Sequence, residues 1–573
     1  MTYAIEVENL WFKYVGSEGW ILKDVSFKIR EGETVVIMGP SGCGKSTLLY
    51  VLAGMAPRVI KGEMKGRVKI FGREVNEMSL SEIARSVAFV FQNPEIQVLM
   101  PTVIEELIFG LENLGLSREE ISTRVNEILE FTGFKGREYE QPQSMSPGEK
   151  QLLAIASVLA MKPRILVLDE PTSMLDHPGT RRVLNLIEKI KRETRMTLLV
   201  VEHRIEWIAE HADRVLVMSD GKVVGEGPPK EVFSNKELVL KTGIRPPQVS
   251  EIFYYVNEAV GSTRSEVPIT LDEALRELDK MPIERPATVY AGALSTEGLE
   301  GAGEVVIEAR DVWFKYTKDQ PWVLQGVDID VRRGEVLALI GHSGVGKTTL
   351  VKHFNGLLKP WRGYVKVTGY DTRNTPTSKL SRIVGLVYQN PEVQFFTSTI
   401  WEEMTIALRK AGLKKSEIEE RVRWALRVVD LEKPLSMSPH LLSFGEKHRL
   451  AIATVLALKP AVLVLDEPFS GLDYKRSLQI LLSLRKYVEE GGSVVLVAHD
   501  LQLISEVADR IAVLERGRVV RVGKTEELLS DIDWLVEHGF NPLQSALLAR
   551  KIGLRGVVKT REIADRISKL IKS

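Results

Sequence analysis

The sequence predicts an α/β fold with a mostly parallel sheet, built twice in one chain of 573 residues. Three observations carry that prediction. Short runs of consecutive apolar residues recur, as strands buried on both faces require. They alternate with helical patterns rich in Glu, Arg and Leu, which suits a parallel sheet covered by helices. The same ordered motifs then return about 300 residues later, and a fixed-period repeat of this kind marks a duplication.

Each half opens with a β-rich stretch, YAIEVENLWFKY (3–14) and VVIEARDVWFKY (305–316). A Gly-Glu turn leads into ETVVIMG (33–39) and EVLALIG (335–341), the first buried strands. ILVLDE (165–170), TLLVVEH (197–203), AVLVLDE (461–467) and SVVLVAH (493–499) read as further strands of the same sheet. Between them SREEISTRVNEILEF (117–131) is one of several helical patterns. RVLVMSDGKVVGEG (214–227) and RIAVLERGRVVRVG (510–523) close the repeats. These landmarks divide the chain into a first domain (1–240), an acidic helical extension and linker (241–303), a second domain (304–525) and a C-terminal helical extension (526–573). LDEALREL (271–278) predicts a helix in the middle segment, ahead of the Gly-rich loop ALSTEGLEGAG (293–303).

Composition narrows the function classes. The chain is 44% hydrophobic and 27% charged with zero formal net charge, which is ordinary for a soluble globular protein and gives no overall pull toward nucleic acid or anionic lipid. One cysteine excludes a disulfide framework and a cysteine-ligated cluster. MTYAIEVENL has no signal-peptide pattern, and no apolar run reaches bilayer length. Any membrane role is therefore expected to pass through a partner.

The chemistry starts at GPSGCGKST (39–47) and GHSGVGKTT (341–349), which fit the phosphate-binding loop G-x-x-x-x-G-K-[ST] between a strand and a helix. The expected ligand-binding residues are Gly39, Ser41, Gly42, Cys43, Gly44, Lys45, Ser46 and Thr47, and in the repeat Gly341, Ser343, Gly344, Val345, Gly346, Lys347, Thr348 and Thr349. Backbone N–H groups of such a loop point at phosphate oxygens, and the helix N-terminus adds partial positive charge. Lys45 and Lys347 are placed on the β/γ-phosphates, and Ser46 and Thr348 on Mg²⁺. Asp169 and Asp466, ending apolar strands, can also hold Mg²⁺, while Glu170 and Glu467 can orient the attacking water. Cys43 reads as a small filler residue, with a redox switch as the alternative.

MSPGEKQLLAIASVLAMKP (145–163) and LSFGEKHRLAIATVLALKP (442–460) resemble the signature motif and helix of the ABC ATPase family, each Ser lying 23 residues before its Asp. The resemblance spans both repeats. It implies an intramolecular pseudo-dimer with two composite ATP sites, in which Ser146 and Gly148 bind ATP held by Lys347, and Ser443 and Gly445 complete the site of Lys45. It also implies adenine stacking by Tyr14 and Tyr316, Mg²⁺ and water contacts by Gln92 and Gln389, and γ-phosphate contacts by His203 and His499. SMLD (173–176) and SGLD (470–473) match the loop that crosses to the opposite site. The signature departs from the family's Leu-Ser-Gly-Gly-Gln: Pro147 removes an N–H, Phe444 adds bulk, and a Glu replaces the final Gln. Two active but unequal sites are expected.

QNPEIQVLMPTVIEELIFGLENLGL (92–116) and QNPEVQFFTSTIWEEMTIALRKAGL (389–413) resemble the ATPases of energy-coupling factor transporters. RPPQVSEI…PITLDEALREL (245–278) resembles their C-terminal subdomain, with GFNPLQSALLARKIGLRGVVKTREIADRI (539–567) a looser match. That likeness implies a groove for coupling helices of an integral membrane subunit, a second membrane subunit that binds the solute, and a place at the cytoplasmic face of the cell membrane. Gln97 and Gln394 keep the family's second glutamine, and Glu106 and Glu403 are placed to pair with a partner's arginine. The expected role is uptake of a micronutrient such as a vitamin or transition-metal ion. A fused sugar-importer ATPase and a ribosome-associated ABC protein are the alternatives. Residues 237–303, with six Lys/Arg against eleven Asp/Glu, lack the basic arm the latter needs.

Overall fold

The computed structural model describes residues 2–173, 175–262, 266–281, 303–469 and 472–572. All but Gly303 of the Gly-rich loop, Met174, Ser470, Gly471 and the side chain of Phe444 lie outside that description. The chain forms two compact units, Met1–Ile283 and Glu284–Ile571.

In the first unit a six-stranded sheet has the order 222–227, 214–219, 34–38, 197–201, 165–169, 87–90. All neighbours are parallel except the outer hairpin 214–219/222–227. That hairpin turns at Asp220-Gly221, both at positive φ (48° and 79°), the two-residue turn that matches strand twist. The second unit repeats the order with strands 518–524, 510–515, 336–340, 493–497, 462–466 and 384–387. Beside each large sheet lies a four-stranded antiparallel sheet, ordered 22–30, 3–14, 62–70, 73–74 and 324–332, 305–314, 362–367, 370–371.

Side-chain alternation explains why the central strands are apolar throughout. Val35 and Ile37 face a core shared with the antiparallel sheet and the helix Lys45–Leu52. Val36 and Met38 face the opposite core, shared with the helices Val103–Asn113, Arg118–Thr132 and Pro147–Ala160. Period-two geometry sends neighbours to opposite faces, so a doubly covered strand has no polar side. Leu337 and Leu339 oppose Val336, Ala338 and Ile340 in the same way.

The extensions contain more helix than the sequence reading predicted. Four helices follow the first unit's hairpin, Pro229–Ser234, Lys236–Thr242, Gln248–Val260 and Leu271–Asp279. Four follow the second, Thr525–Ser530, Ile532–Glu537, Gln544–Lys551 and Thr560–Lys572. Each set pins its third helix through one hydroxyl: Ser250 donates to the Pro268 carbonyl at 2.7 Å, and Ser545 to that of Val558 at 2.6 Å. Ile244 and Ile269 join the first large core, and Phe540, Leu543, Ala546 and Val558 join the second. The C-terminal set thus repeats the first despite its looser sequence match.

Candidate functional site

The site grows from the C-terminal ends of the parallel strands. After the strand Thr34–Met38 the chain turns at Gly39 (φ 151°), where a Cβ would meet the Met218 carbonyl oxygen at 2.2 Å. Gly341 repeats this with φ 154° and the Leu514 carbonyl at 2.3 Å. Only glycine fits such a close backbone approach. Lys45 and Lys347 are buried at the first position of their helices. Lys45 Nζ donates to the carbonyls of Gly39 (2.9 Å) and Pro40 (3.1 Å). Lys347 donates to those of Gly341 (2.8 Å) and His342 (2.9 Å). A cation and a helix N-terminus thereby meet at one glycine-rich loop, an arrangement suited to an anion.

Cys43 is buried, its thiol pushed up by burial, and packs beneath Gly39. Val345 fills the same position under Gly341. Burial among apolar neighbours fits the small-filler reading. Tyr14 and Tyr316 anchor to the phosphate-binding loops rather than standing free: their hydroxyls lie 2.7 Å from Thr47 Oγ1 and 2.9 Å from Thr349 Oγ1.

Asp169 and Asp466 end the strands Ile165–Asp169 and Val462–Asp466 and are buried. Burial and then the Glu170 charge push Asp169 up to about 6, opposed by the Ser46 hydroxyl and Lys45. Burial also raises Asp466, against the pull of the Thr348 hydroxyl. Among the described residues, Oδ1 of each aspartate is buried without a hydrogen-bond partner. An orphaned carboxylate oxygen beside a hydroxyl is a fitting donor set for Mg²⁺, which takes one or two protein oxygens and completes its shell with phosphates and water. No cluster of three or more His, Cys, Asp or Glu able to hold a metal occurs among the described residues.

The next residue changes direction. Glu170 and Glu467 adopt left-handed φ values of 47° and 50° while their N–H groups still bond to Val201 (3.0 Å) and Val497 (2.9 Å). Gln92 Nε2 donates to Glu170 Oε2 at 2.8 Å, and His203 Nε2 lies 3.1 Å from Oε1. Burial works to raise the Glu170 pKa, but the charge and hydrogen bond of His203, with Lys45, draw it below the ordinary value. In the second unit His499 Nε2 is 2.8 Å from Glu467 Oε1. Gln389 is exposed there, and no hydrogen bond joins it to Glu467 among the described residues.

Ser146 and Ser443 cap the helices Pro147–Ala160 and Phe444–Leu456 through capping boxes with Glu149 and Glu446. Two bonds from Ser146 to Glu149, at 2.7 and 3.0 Å, close the first box, and Glu149 falls to about 2 chiefly through the Ser146 hydroxyl, against burial. This accounts for Glu where the family has Gln, since either completes the box. Pro147 occupies the first helical position, where an N–H has no intrahelical partner and the fixed φ suits the helix. It therefore costs the helix nothing, although it still removes one donor. Gly148 is needed for packing: a Cβ there would meet the Gly179 Cα at 2.8 Å.

One expectation is corrected, that of Glu106 and Glu403. Glu106 and Glu403 are buried, not offered to a partner: Glu106 Oε2 accepts from Leu99 N and Met100 N, both at 2.9 Å, and Glu403 Oε2 from Phe396 N and Thr397 N, both at 3.0 Å. Gln97 and Gln394 brace the same loops, accepting from Phe91 N (3.1 Å) and Tyr388 N (3.3 Å). Asp176 and Asp473 cap the helices His177–Glu193 and Tyr474–Glu489. Sequence reasoning missed Glu202, whose buried carboxylate accepts from Thr172 Oγ1 (2.7 Å) and His203 N (2.7 Å). Its placement one residue before His203, at the end of an apolar strand, was the available signal; Ala498 stands there in the repeat.

The sequence profile of the ABC transporter family matches residues 22–173 and 324–470. A protein of Caldanaerobacter subterraneus subsp. tengcongensis described as an ABC transporter ATP-binding protein is 36% identical over 96% of both chains. One of Methanosarcina acetivorans, described alike, is 37% identical over 96% of this chain and 91% of its own length. CbiO1 of Clostridium perfringens, described as part of the ABC transporter complex CbiONQ, is a solved structure 31% identical to this chain, with a TM-score of 0.37, covering 41% of this chain and 94% of its own. The chain belongs to the ABC transporter family. It is an ATP-binding subunit with two ATPase domains, and it hydrolyses ATP.

The buried Asp169 gives a signed expectation. Its folded pKa of about 6 lies above the ordinary 3.8, so the folded chain holds this proton more tightly than the unfolded one. Its stabilising effect is complete below about pH 4 and lost as pH rises through about 6. In urea denaturation with chelator and no nucleotide, Asp169→Asn should exceed the parent at pH 7 by up to about 3 kcal/mol. The gap should close below pH 4; lower stability at pH 7 would contradict the buried-charge account.

Proposed function

We propose that this chain energises a membrane importer of the energy-coupling factor type, taking up a micronutrient such as a vitamin or transition-metal ion. The observation that carries the reading is the loop after Gln92 and Gln389. Glu106 and Glu403 hold it from inside, and it displays Ile96 (61% exposed), Leu99 (64%), Val393 (57%) and Phe396 (83%). Apolar side chains on a loop braced by buried carboxylates suit a docking surface for helices of a membrane subunit. Among the described residues no helix is long and apolar enough to cross a membrane; in this reading the chain sits at the cytoplasmic face, bound to integral membrane subunits.

ATP is held by the loops around Lys45 and Lys347. Ser46 with Asp169, and Thr348 with Asp466, would hold Mg²⁺, which when bound offsets charge on the phosphates. Glu170 and Glu467 orient and polarise the attacking water; His203 holds Glu170 in position, and His499 stands beside Glu467. Gln92 adds a second hold in the first half. Following the family, Ser146 with Gly148 and Ser443 with Gly445 each serve the ATP bound by the other half's lysine. The two halves then turn over as a coupled pair.

Glu170→Gln with Glu467→Gln should retain ATP and lose turnover by roughly 10²–10⁴-fold, read as phosphate release beside retained radiolabelled ATP. Undiminished hydrolysis would remove both residues from the role. Affinity purification of the full chain from detergent-solubilised membranes should recover integral membrane proteins; Phe396→Asp with Leu99→Asp should abolish that recovery. Ribosomes without membrane proteins, or recovery unaffected by the two substitutions, would overturn the docking assignment.

A further inference from the structure

The two phosphate-binding loops differ at their second residue, Pro40 in the first and His342 in the second. His342 is tied to the C-terminal extension on two sides. Its ring stacks on Phe540, with centroids 5.1 Å apart and planes 15° from parallel. Its Nε2 lies 2.9 Å from the His538 carbonyl, the distance of an N–H donating to that oxygen. Gly539 between them has φ 76°, and a Cβ there would stand 3.1 Å from His342 Nε2, so the glycine also permits the close approach.

The contact continues into the extension and its core. The His538 ring stacks on Trp534 at 4.0 Å and 20°, and Trp534 lies under the Arg521 guanidinium at 4.8 Å. Arg521 in turn pairs with Asp531 at 2.7 Å. Phe540 is buried in the second unit's large core, and Trp534 packs against it. At the other end, the His342 carbonyl accepts from Lys347 Nζ at 2.9 Å. One row of contacts therefore runs from the extension to the lysine of the phosphate-binding loop. The first unit has Pro40, Leu238, Thr242 and Ile244 at the corresponding places. Those side chains supply no ring stack, and Thr242 spends its hydroxyl on Leu238 within its own helix at 2.7 Å.

We propose that the C-terminal extension is a positioning element for the second nucleotide site alone, holding the loop at His342, and through it Lys347, in its phosphate-binding arrangement. His342 and Phe540 are the positioning residues. A loop ordered in advance binds more tightly because less ordering remains to be done on binding. Loosening the extension thereby weakens ATP at the second site and leaves the first unchanged. The inference rests on the assignment of Lys347 to ATP.

The test uses the full chain carrying Lys45→Ala, so that only the second loop keeps its lysine, titrated with trinitrophenyl-ATP in chelator to prevent hydrolysis. His342→Ala and Phe540→Leu should each weaken binding by roughly five- to tenfold, the scale of one lost neutral hydrogen bond or ring stack. The double variant should be no worse than the weaker single, as residues acting through one contact behave. In a Lys347→Ala chain, Phe540→Leu should leave the analogue's affinity unchanged. Additive effects, equal loss at both sites, or no loss would overturn the inference. Hydrogen exchange without nucleotide reads the same link: Phe540→Leu should speed exchange across 341–347 and not across 39–45, and equal rates would count against it. Retained binding after Lys45→Ala with Lys347→Ala would instead sink the lysine assignment itself.

Discussion

The left-handed turn at Glu170 and Glu467 is the constraint on which the site depends. A parallel strand carries its last aspartate into the buried space beneath the phosphate-binding loop. The following glutamate would point to the opposite face if the strand continued. The positive φ breaks that alternation, at a cost of about 1–3 kcal/mol for a non-glycine residue. In the first unit it lets the glutamate meet Gln92 and His203 together. The strain is sustained because the N–H of each glutamate remains bonded to the neighbouring strand. Aspartate, glutamate and histidine therefore occupy one place because two adjacent parallel strands end at one level.

What the sequence disclosed was whatever depends on neighbours in the chain. The glycines around Lys45, the apolar strands ending in Asp-Glu and the serine three residues before Glu149 all work within a few residues of one another. What it concealed depends on distance or burial. Glu106 looked like a surface acid because its pattern says nothing of the two N–H groups folded over it. Pro147 removes one N–H donor, as the sequence says, and only its place at the first helical position shows that the helix itself accommodates it. The contact between His342 and Phe540 joins residues almost 200 positions apart, and no local pattern signals it.

The asymmetry between the halves extends beyond Pro147 and Phe444 of the signature motif, whose serines close the same capping box in both halves. Other differences lie around the shared parts. Gln92 holds Glu170, whereas Gln389 is exposed; Glu202 braces the turn before His203, whereas Ala498 cannot; and His342 replaces Pro40. Duplication thus preserved the groups that would touch nucleotide and let their supports diverge. Two sites of one chemistry but different rigidity are the expected result.

The central proposal is that the two ATPase sites of one chain work as a coupled pair. A covalent tether sets their mutual concentration on the order of mM whatever the dilution of the chain. The direct measurement is the ATPase rate per chain, with its dependence on ATP, across a wide dilution series. The account predicts a constant rate per chain and unchanged positive cooperativity in ATP. A rate per chain that falls toward zero on dilution would contradict it and make the working unit an association of separate chains.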